Sequence, residues 1–232
     1  DVSFSAESGK VVSILGENGA GKSTLLKILY GDFLPTHGKI LINNEEVVSH
    51  SPHEALEKGI SVIYQERQLV EKLTVADNVF LGHPPQALTF IQTKILINET
   101  QKLIDEFGFS FKADTTVSEL SVAHQQMIEI MKAYNRNIDI IAFDEPTASL
   151  TDTEITKLFD IILKLRSDGK IILYVSHRLQ EIFEICDEVV VLKDEIQEKD
   201  NLPHKKDNKM FFARVFNNFV KKLGTVKAGK IE

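Results

Sequence analysis

Gly16-Glu17-Asn18-Gly19-Ala20-Gly21-Lys22-Ser23-Thr24 fits the pattern GxxxxGK(S/T). Val11 to Leu15, just before it, is an apolar run of strand length. Ser23 to Tyr30, just after, reads as a helix with Leu25, Leu26, Ile28 and Leu29 available for packing. The loop therefore joins a strand to a helix N-terminus. Glycines at 16, 19 and 21 let the backbone curl until several N–H groups face one point, and the helix dipole adds positive potential there. A loop of this kind cradles phosphate. Lys22 has the reach and charge for terminal phosphates, and the Ser23 hydroxyl suits a magnesium ion held beside them. Gly16, Asn18, Gly19, Gly21, Lys22, Ser23 and Thr24 are the expected phosphate-contacting residues.

Outward from this loop, short strand-like runs alternate with helical ones, which predicts a mostly parallel α/β sheet. The strand candidates are Val11 to Leu15, Lys39 to Ile42, Ile60 to Tyr64, Ile138 to Phe143, Ile171 to Val175 and Glu188 to Leu192. The stretch from about 68 to 134 breaks the alternation. It is mainly helical, with Pro84-Pro85 in a loop, and reads as an inserted helical subdomain. The expected class is an α/β P-loop NTPase, a mostly parallel sheet core carrying that insertion.

Composition is that of a globular chain: 232 residues, 43% hydrophobic and 26% charged. No apolar stretch approaches the ~18 residues of a membrane span. Cys186 is the only cysteine, so no intrachain disulfide forms. The net charge of −7 is uneven: residues 195–232 carry nine Lys/Arg against five Asp/Glu, so the rest of the chain is more acidic than the total. An acidic body argues against broad nucleic-acid binding. No Met precedes Asp1, which opens beside a strand-like run over Val2 to Ser5, and the chain is expected to be part of a longer protein.

Ile140-Ile141-Ala142-Phe143-Asp144-Glu145 is an apolar strand ending in two acids. At the C-terminal edge of a parallel sheet these acids would sit beside the phosphate loop. Asp144 suits a magnesium ligand, directly or through water. Glu145 suits a base or positioning group for an attacking water.

Further strings follow in a telling order. Gln65 ends the strand before the helical insertion. Leu120-Ser121-Val122-Ala123-His124-Gln125-Gln126 opens a helix ahead of the acidic strand, and Val175-Ser176-His177-Arg178 follows the next strand. This order resembles the nucleotide-binding domain of ATP-binding cassette (ABC) proteins, over about residues 1 to 194. It is most similar to importers of simple sugars such as ribose, galactose and xylose. The strings carrying that likeness are Ser51-Pro52 to Gly59-Ile60, Gln65-Glu66 to Leu69, Asn78 to Gly82, Asp144-Glu145-Pro146-Thr147 and Glu181 to Asp187. In that family the ATPase chain usually holds two such domains in tandem, and this chain matches the first.

The resemblance implies ATP and Mg2+ as cofactors, with Ser23, Gln65 and Asp144 around the metal. It implies that Glu145, Gln65 and His177 serve hydrolysis, with His177 on the γ-phosphate. Ser149 to Asp152 would form a loop across a dimer interface, and Ser121 would contact ATP held by the opposite domain. The implied partners are a second nucleotide-binding domain, transmembrane permease subunits and, indirectly, a sugar-binding protein, with no nucleic acid. The implied location is the cytoplasmic face of the plasma membrane, peripherally attached. Two rivals stay open: a soluble ABC-type ATPase in translation or DNA repair, and a non-hydrolysing nucleotide-binding regulator. The second is suggested by Ala123 and His124, which depart from the family's LSGGQ signature. A GTPase is disfavoured, because Asn208-Lys209-Met210-Phe211 lacks the Asp of the guanine-reading NKxD.

Two expectations concern the ends. The family stacks adenine on an aromatic residue upstream of the phosphate loop. Here Phe4 is the only aromatic before Gly16 and is better placed for core packing, so weak ATP binding with little preference over GTP is expected. Past Asp194 the family pattern stops. Phe212, Val215, Phe216, Phe219 and Leu223 recur at helical spacing, with Lys209, Arg214, Lys221 and Lys222 among them, as expected of a helix packed on its own domain, or of a tail left by truncation or frameshift, rather than of a membrane-surface or partner-binding helix.

Overall fold

The computed structural model describes residues 2–17, 19–49, 51–83 and 93–192, and the backbone of 197–201. Its centre is a six-stranded sheet. The strands are β1 (Val11–Gly16), β4 (Ile60–Ile63), β5 (Ile140–Asp144), β6 (Ile171–Val175), β7 (Glu188–Leu192) and β8 (Gln197–Asn201), in the spatial order β4-β5-β6-β1-β7-β8. All neighbours are parallel except β7 and β8. The helices are α1 (Lys22–Leu29), α2 (Pro52–Glu57), α3 (Val75–Val79), α4 (Thr93–Glu106), α5 (Val122–Asn135), α6 (Asp152–Ser167) and α7 (Leu179–Ile185). The α/β class and its parallel core are as the sequence predicts.

The sheet is buried on both faces, and its strands alternate between two cores. Val11, Ile141, Phe143, Ile172 and Tyr174 point to one face, where α5 supplies Met127 and Ile130 and α6 supplies Leu158, Ile162 and Leu165. Val12, Ile14, Ile140, Ala142, Leu173 and Val175 point to the other, against Leu26 of α1 and Ala55 of α2. This is the period-two alternation of a strand between two helical layers. Each large side chain fully buried here is worth about 1.5–3 kcal/mol.

The stretch between β4 and β5 forms a lobe with a core of its own: Val75, Ala76 and Val79 of α3, Leu96 and Ile104 of α4, and Val117. Helix α5 joins the lobe to the sheet. It turns Ile128 and Met131 into the lobe core, and Met127 and Ile130 onto the sheet. Thr74 starts α3 with a capping box: its hydroxyl accepts from Asp77 N–H at 3.1 Å while Asp77 accepts from Thr74 N–H at 3.2 Å. Pro84-Pro85 lies outside the described residues.

Several details differ from the expectations. Val2 to Ser5 is not a strand; both edges of β1 are already paired, and Phe4 and Ala6 pack instead against the α1 face. The run Lys39 to Ile42 contributes only β2 (Ile40–Ile42), paired antiparallel with an unforeseen β3 (Glu45–Val47). The fifth strand begins at Ile140 rather than Ile138, because Asn137, at φ 53, turns the chain out of α5 just before it. Past Asp194, β8 pairs antiparallel with the whole of β7. The helical pattern from Phe212 to Leu223 lies outside the described residues.

Candidate functional site

Parallel strands place their C-terminal ends on one edge, and the expected groups collect there for that reason. The glycine loop follows β1, Gln65 follows β4, Asp144 ends β5 with Glu145 just past it, and Ser176 and His177 follow β6. Register brings the ends level: Val175 pairs with Asp144 on one side and with Ile14 on the other.

The loop has the shape a phosphate cradle needs. A Cβ on Gly16 would lie 2.8 Å from the Leu192 carbonyl oxygen and 3.0 Å from Ala20 Cβ, so β7 excludes any side chain there. Gly19 and Gly21 sit at φ 90 and 95, in the left-handed region that favours glycine, with open space where a Cβ would stand. Gly21 is the N-cap of α1 and brings no side chain to its first N–H groups. Those donors are left for a ligand, and the dipole favours an anion. Lys22 is nearly buried, its ammonium donating back to the Gly16 and Glu17 carbonyls at 2.9 and 3.0 Å. A polyphosphate entering the loop would give that cation a stronger partner than two neutral carbonyls. Thr24 is exposed on the first turn of α1, and Asn18 lies outside the described residues.

The Ser23 hydroxyl lies beside the Asp144 carboxylate, close enough to lower its pKa. Burial, then the neighbouring Glu145 charge, push that carboxyl above its ordinary range, while Ser23, Lys22 and Lys27 pull it down. A buried carboxylate held high by desolvation gains from a cation. One hydroxyl and one carboxylate beside the phosphate loop are the sparse oxygen set that would suit Mg2+, which binds through one or two protein oxygens and takes phosphates and waters for the rest.

Glu145 stands at φ 49, a left-handed backbone rare for a residue with a side chain, its N–H tied to the Val175 carbonyl at 3.0 Å. Its Oε1 lies 3.2 Å from His177 Nδ1. The side chain of Glu145 is 26% exposed and that of His177 61%, so the pair opens to solvent beside the loop. Gln65 is exposed past the end of β4. Tyr64 before it donates to Asp32 at 3.0 Å, and Gln68 after it donates its backbone N–H to Glu129 of α5. Ser121 is placed differently. It caps α5 on the lobe, accepting from His124 N–H at 3.3 Å, and is exposed. Ser149 and Asp152 are exposed between β5 and α6.

Sequence reasoning assigned no role to the support behind this edge. Gln126 donates to the Pro146 carbonyl at 2.7 Å. The Glu181 carboxylate, only 5% exposed, accepts from Thr147, Tyr174 and Ser176. The signal was a Glu four residues past His177, a spacing common on any exposed helix face.

Comparison with known proteins now bears on this geometry. Residues 1–148 match the family described as ABC transporter. The arabinose import ATP-binding protein AraG of Mannheimia succiniciproducens is 50% identical over 194 residues, covering 84% of this chain and 39% of that protein. The AraG of Vibrio parahaemolyticus is 43% identical over 223 residues, covering 94% and 44%. The chain thus spans about two fifths of the length of the curated relatives it matches. Among solved structures, a nucleotide-free ATP-binding cassette from an ABC transporter superposes with a TM-score of 0.78 at 23% identity, covering 94% of this chain and 90% of that one; this likeness is one of fold. A dimeric cassette in a post-hydrolysis state with ADP and Pi has a TM-score of 0.72 at 26% identity, covering 86% and 89%. Family match, fold and the loop that gathers Lys22, Ser23 and Asp144 fall on the same residues, and the chain belongs to the ABC transporter family.

Proposed function

We propose that this chain is an ATP-binding and ATP-hydrolysing domain of an importer for a simple sugar, working as one of a pair of such domains. The carrying observation is the meeting of the Ser23 hydroxyl with the Asp144 carboxylate at the root of the Lys22 loop, beside the Glu145–His177 pair. The relatives named for arabinose import support a pentose as the transported sugar.

In this reading the loop N–H groups and Lys22 bind the phosphates and offset their charge. Ser23 and Asp144 would hold Mg2+, which supplies charge neutralisation between the phosphates when bound. Gln65 would report on that centre to the lobe, to which its segment is tied through Glu129. Glu145 Oε1 orients the attacking water and draws its proton. His177, with Nδ1 3.2 Å from Glu145 Oε1, holds that carboxylate in place and turns its other nitrogen toward the γ-phosphate. Little covalent chemistry falls to the protein; positioning and charge carry the rate. Ser121 would complete the site of the opposite domain. Transmembrane permease subunits would receive the motion at the cytoplasmic face of the membrane; no helix among the described residues is long and apolar enough to cross one.

The test is uptake of labelled arabinose by cells whose own arabinose ATPase has been deleted. The chain is supplied within its full-length protein, alongside its permease and sugar-binding partners. Uptake that follows ATP turnover and stops with Lys22→Ala supports the reading. ATP turnover stimulated by ribosomes or DNA, with no sugar uptake, would replace it with the soluble rival. Tight ATP binding without turnover in the assembled complex would leave the regulator.

A further inference from the structure

The Glu145–His177 pair is held from behind by one buried carboxylate. Glu181 lies on α7, 5% exposed, and its two oxygens divide the work. Oε1 accepts from the Thr147 hydroxyl at 2.7 Å and faces Arg178 Nη1 at 3.4 Å. Oε2 accepts from the Tyr174 hydroxyl at 2.9 Å and the Ser176 hydroxyl at 2.7 Å. Ser176 in turn accepts from Arg178 N–H at 3.0 Å. Burial and the Glu181 charge push the Tyr174 phenol up, so it stays a donor.

The partners decide what this cluster does. Thr147 is two residues past Glu145, on the segment leaving β5. Ser176 and Arg178 flank His177, on the segment leaving β6. One carboxylate thus anchors both segments whose tips meet in the 3.2 Å contact between Glu145 and His177. That contact needs the anchor. Glu145 is in a left-handed backbone, and His177 borders an open cavity of about 610 Å3 between α6 and α7, lined also by Asp152, Thr156, Phe159 and Glu184. The His177 side chain is 61% exposed, so the solvent side leaves it room to swing away. A buried carboxylate with four donors around it is also costly to disturb, since each lost donor leaves a desolvated charge less compensated.

We propose that Glu181 is a positioning residue for hydrolysis: through Thr147 and Ser176 it fixes the spacing of Glu145 and His177. Its carboxylate is nearly buried at the wall of that cavity, and its hydrogen bonds go to Thr147, Tyr174, Ser176 and Arg178 rather than to the phosphate loop. This rests on the reading of the chain as an ATP-hydrolysing domain.

The experiment compares Glu181→Gln, Thr147→Val and Ser176→Ala with the parent protein in the assembled complex, with two readouts. The first is the split between kcat and ATP affinity. All three variants should bind ATP within about twofold of the parent, because none touches the loop. Glu181→Gln should lose about 10- to 100-fold in kcat, as small misplacements of reacting groups do. The single hydroxyl variants should lose less, and adding either to Glu181→Gln should cost little more, since both act through the same carboxylate. The second readout is the His177 imidazole resonance in nucleotide-free protein, assigned by comparison with His177→Asn. It should move in all three variants.

Parent-level kcat in Glu181→Gln, or an unmoved His177 resonance, overturns the proposal. If Glu181→Gln does not fold, the two hydroxyl variants decide: unchanged kcat and resonance in both would overturn it. A parent complex that never turns over ATP defeats the hydrolysis reading instead, and the His177 resonance still tests the anchoring.

Discussion

At the sheet edge, side chains from separate segments meet within one chain: Lys22 on its loop carbonyls, Ser23 on Asp144, Glu145 on His177, with Glu181 behind. At the tip of α5 the contacts are of another kind: the His124 ring packs edge-on against Phe111, and Gln125 donates to the Val117 and Leu120 carbonyls of the lobe. Ser121 caps its own helix and faces solvent, and Val122 beside it is 40% exposed. On the reading proposed here for the chain, the first region would be half of a site already assembled. The second is a surface whose expected ligand must come from elsewhere, which is how a domain would look if each of two copies lends its α5 tip to the other's loop. The two regions should therefore fail differently when mutated.

The sharpest break is at the sheet edge. Glu145→Gln keeps the size of the side chain beside His177 but removes the base. Turnover in the assembled complex should fall by roughly 10²–10⁴-fold, the usual worth of a positioned general base, while ATP binding by calorimetry stays unchanged. Parent turnover in this variant would remove Glu145 from the chemistry. Lys22→Ala comes next. Loss of a charge-assisted contact to phosphate is worth about 1.5–3 kcal/mol, so ATP affinity should drop roughly 10- to 100-fold. Adenosine affinity should not change. Equal loss for both ligands would mean that the loop itself has collapsed.

The two regions also differ in how legible they were. The phosphate loop and the acidic strand are local patterns, in which spacing along the chain is spacing in space, and both fell where the sequence put them. Parallel pairing then brought Gln65 and His177 to the same edge without needing any contact to be foreseen. Strand β3 was missed although its signal is local: Asn43-Asn44, at φ 52 and 67, is the two-residue left-handed turn that closes a hairpin. Two acids in the three residues of β3 masked it. The role of Glu181 was invisible for the opposite reason. Its partner Thr147 is 34 positions away in the chain, and nothing local distinguishes a buried helix Glu from a solvated one. Past residue 194, β8 is a run of polar and charged residues whose strand character comes from pairing with β7, not from its own pattern.

The α5 tip gives a smaller effect of a different kind. Ser121→Ala removes the cap and should cost about 0.5–1 kcal/mol of stability, seen as a lower Tm. ATP binding to the separate chain should be untouched, because Ser121 does not reach its own loop. Turnover in the paired complex should fall several-fold, the loss expected when one neutral hydrogen bond worth about 1 kcal/mol is removed from a phosphate. Weaker ATP binding by the unpaired chain would erase the distinction between the two regions.

The smallest effect lies at the seam between them. Glu129, buried on α5, accepts the backbone N–H of Gln68 and so ties the segment after Gln65 to the lobe. Burial raises its carboxyl above the ordinary value, against the Gln68 bond and the nearby charges of Lys132 and Arg67, which lower it. The sign follows from which state holds the proton more tightly. The unfolded chain ionises first, near about pH 4.3. Stability from this group is therefore full below that pH and declines as pH rises through the higher folded value. Glu129→Gln keeps an oxygen for Gln68 N–H and removes the buried charge. Its Tm should match the parent's below about pH 4 and exceed it at neutral pH by about 2–4 °C, corresponding to about 1 kcal/mol in a chain of this size. A difference that is flat with pH, or a lower Tm at neutral pH, would mean that the charge of Glu129 stabilises the seam, through Lys132 and Arg67, more than its burial costs.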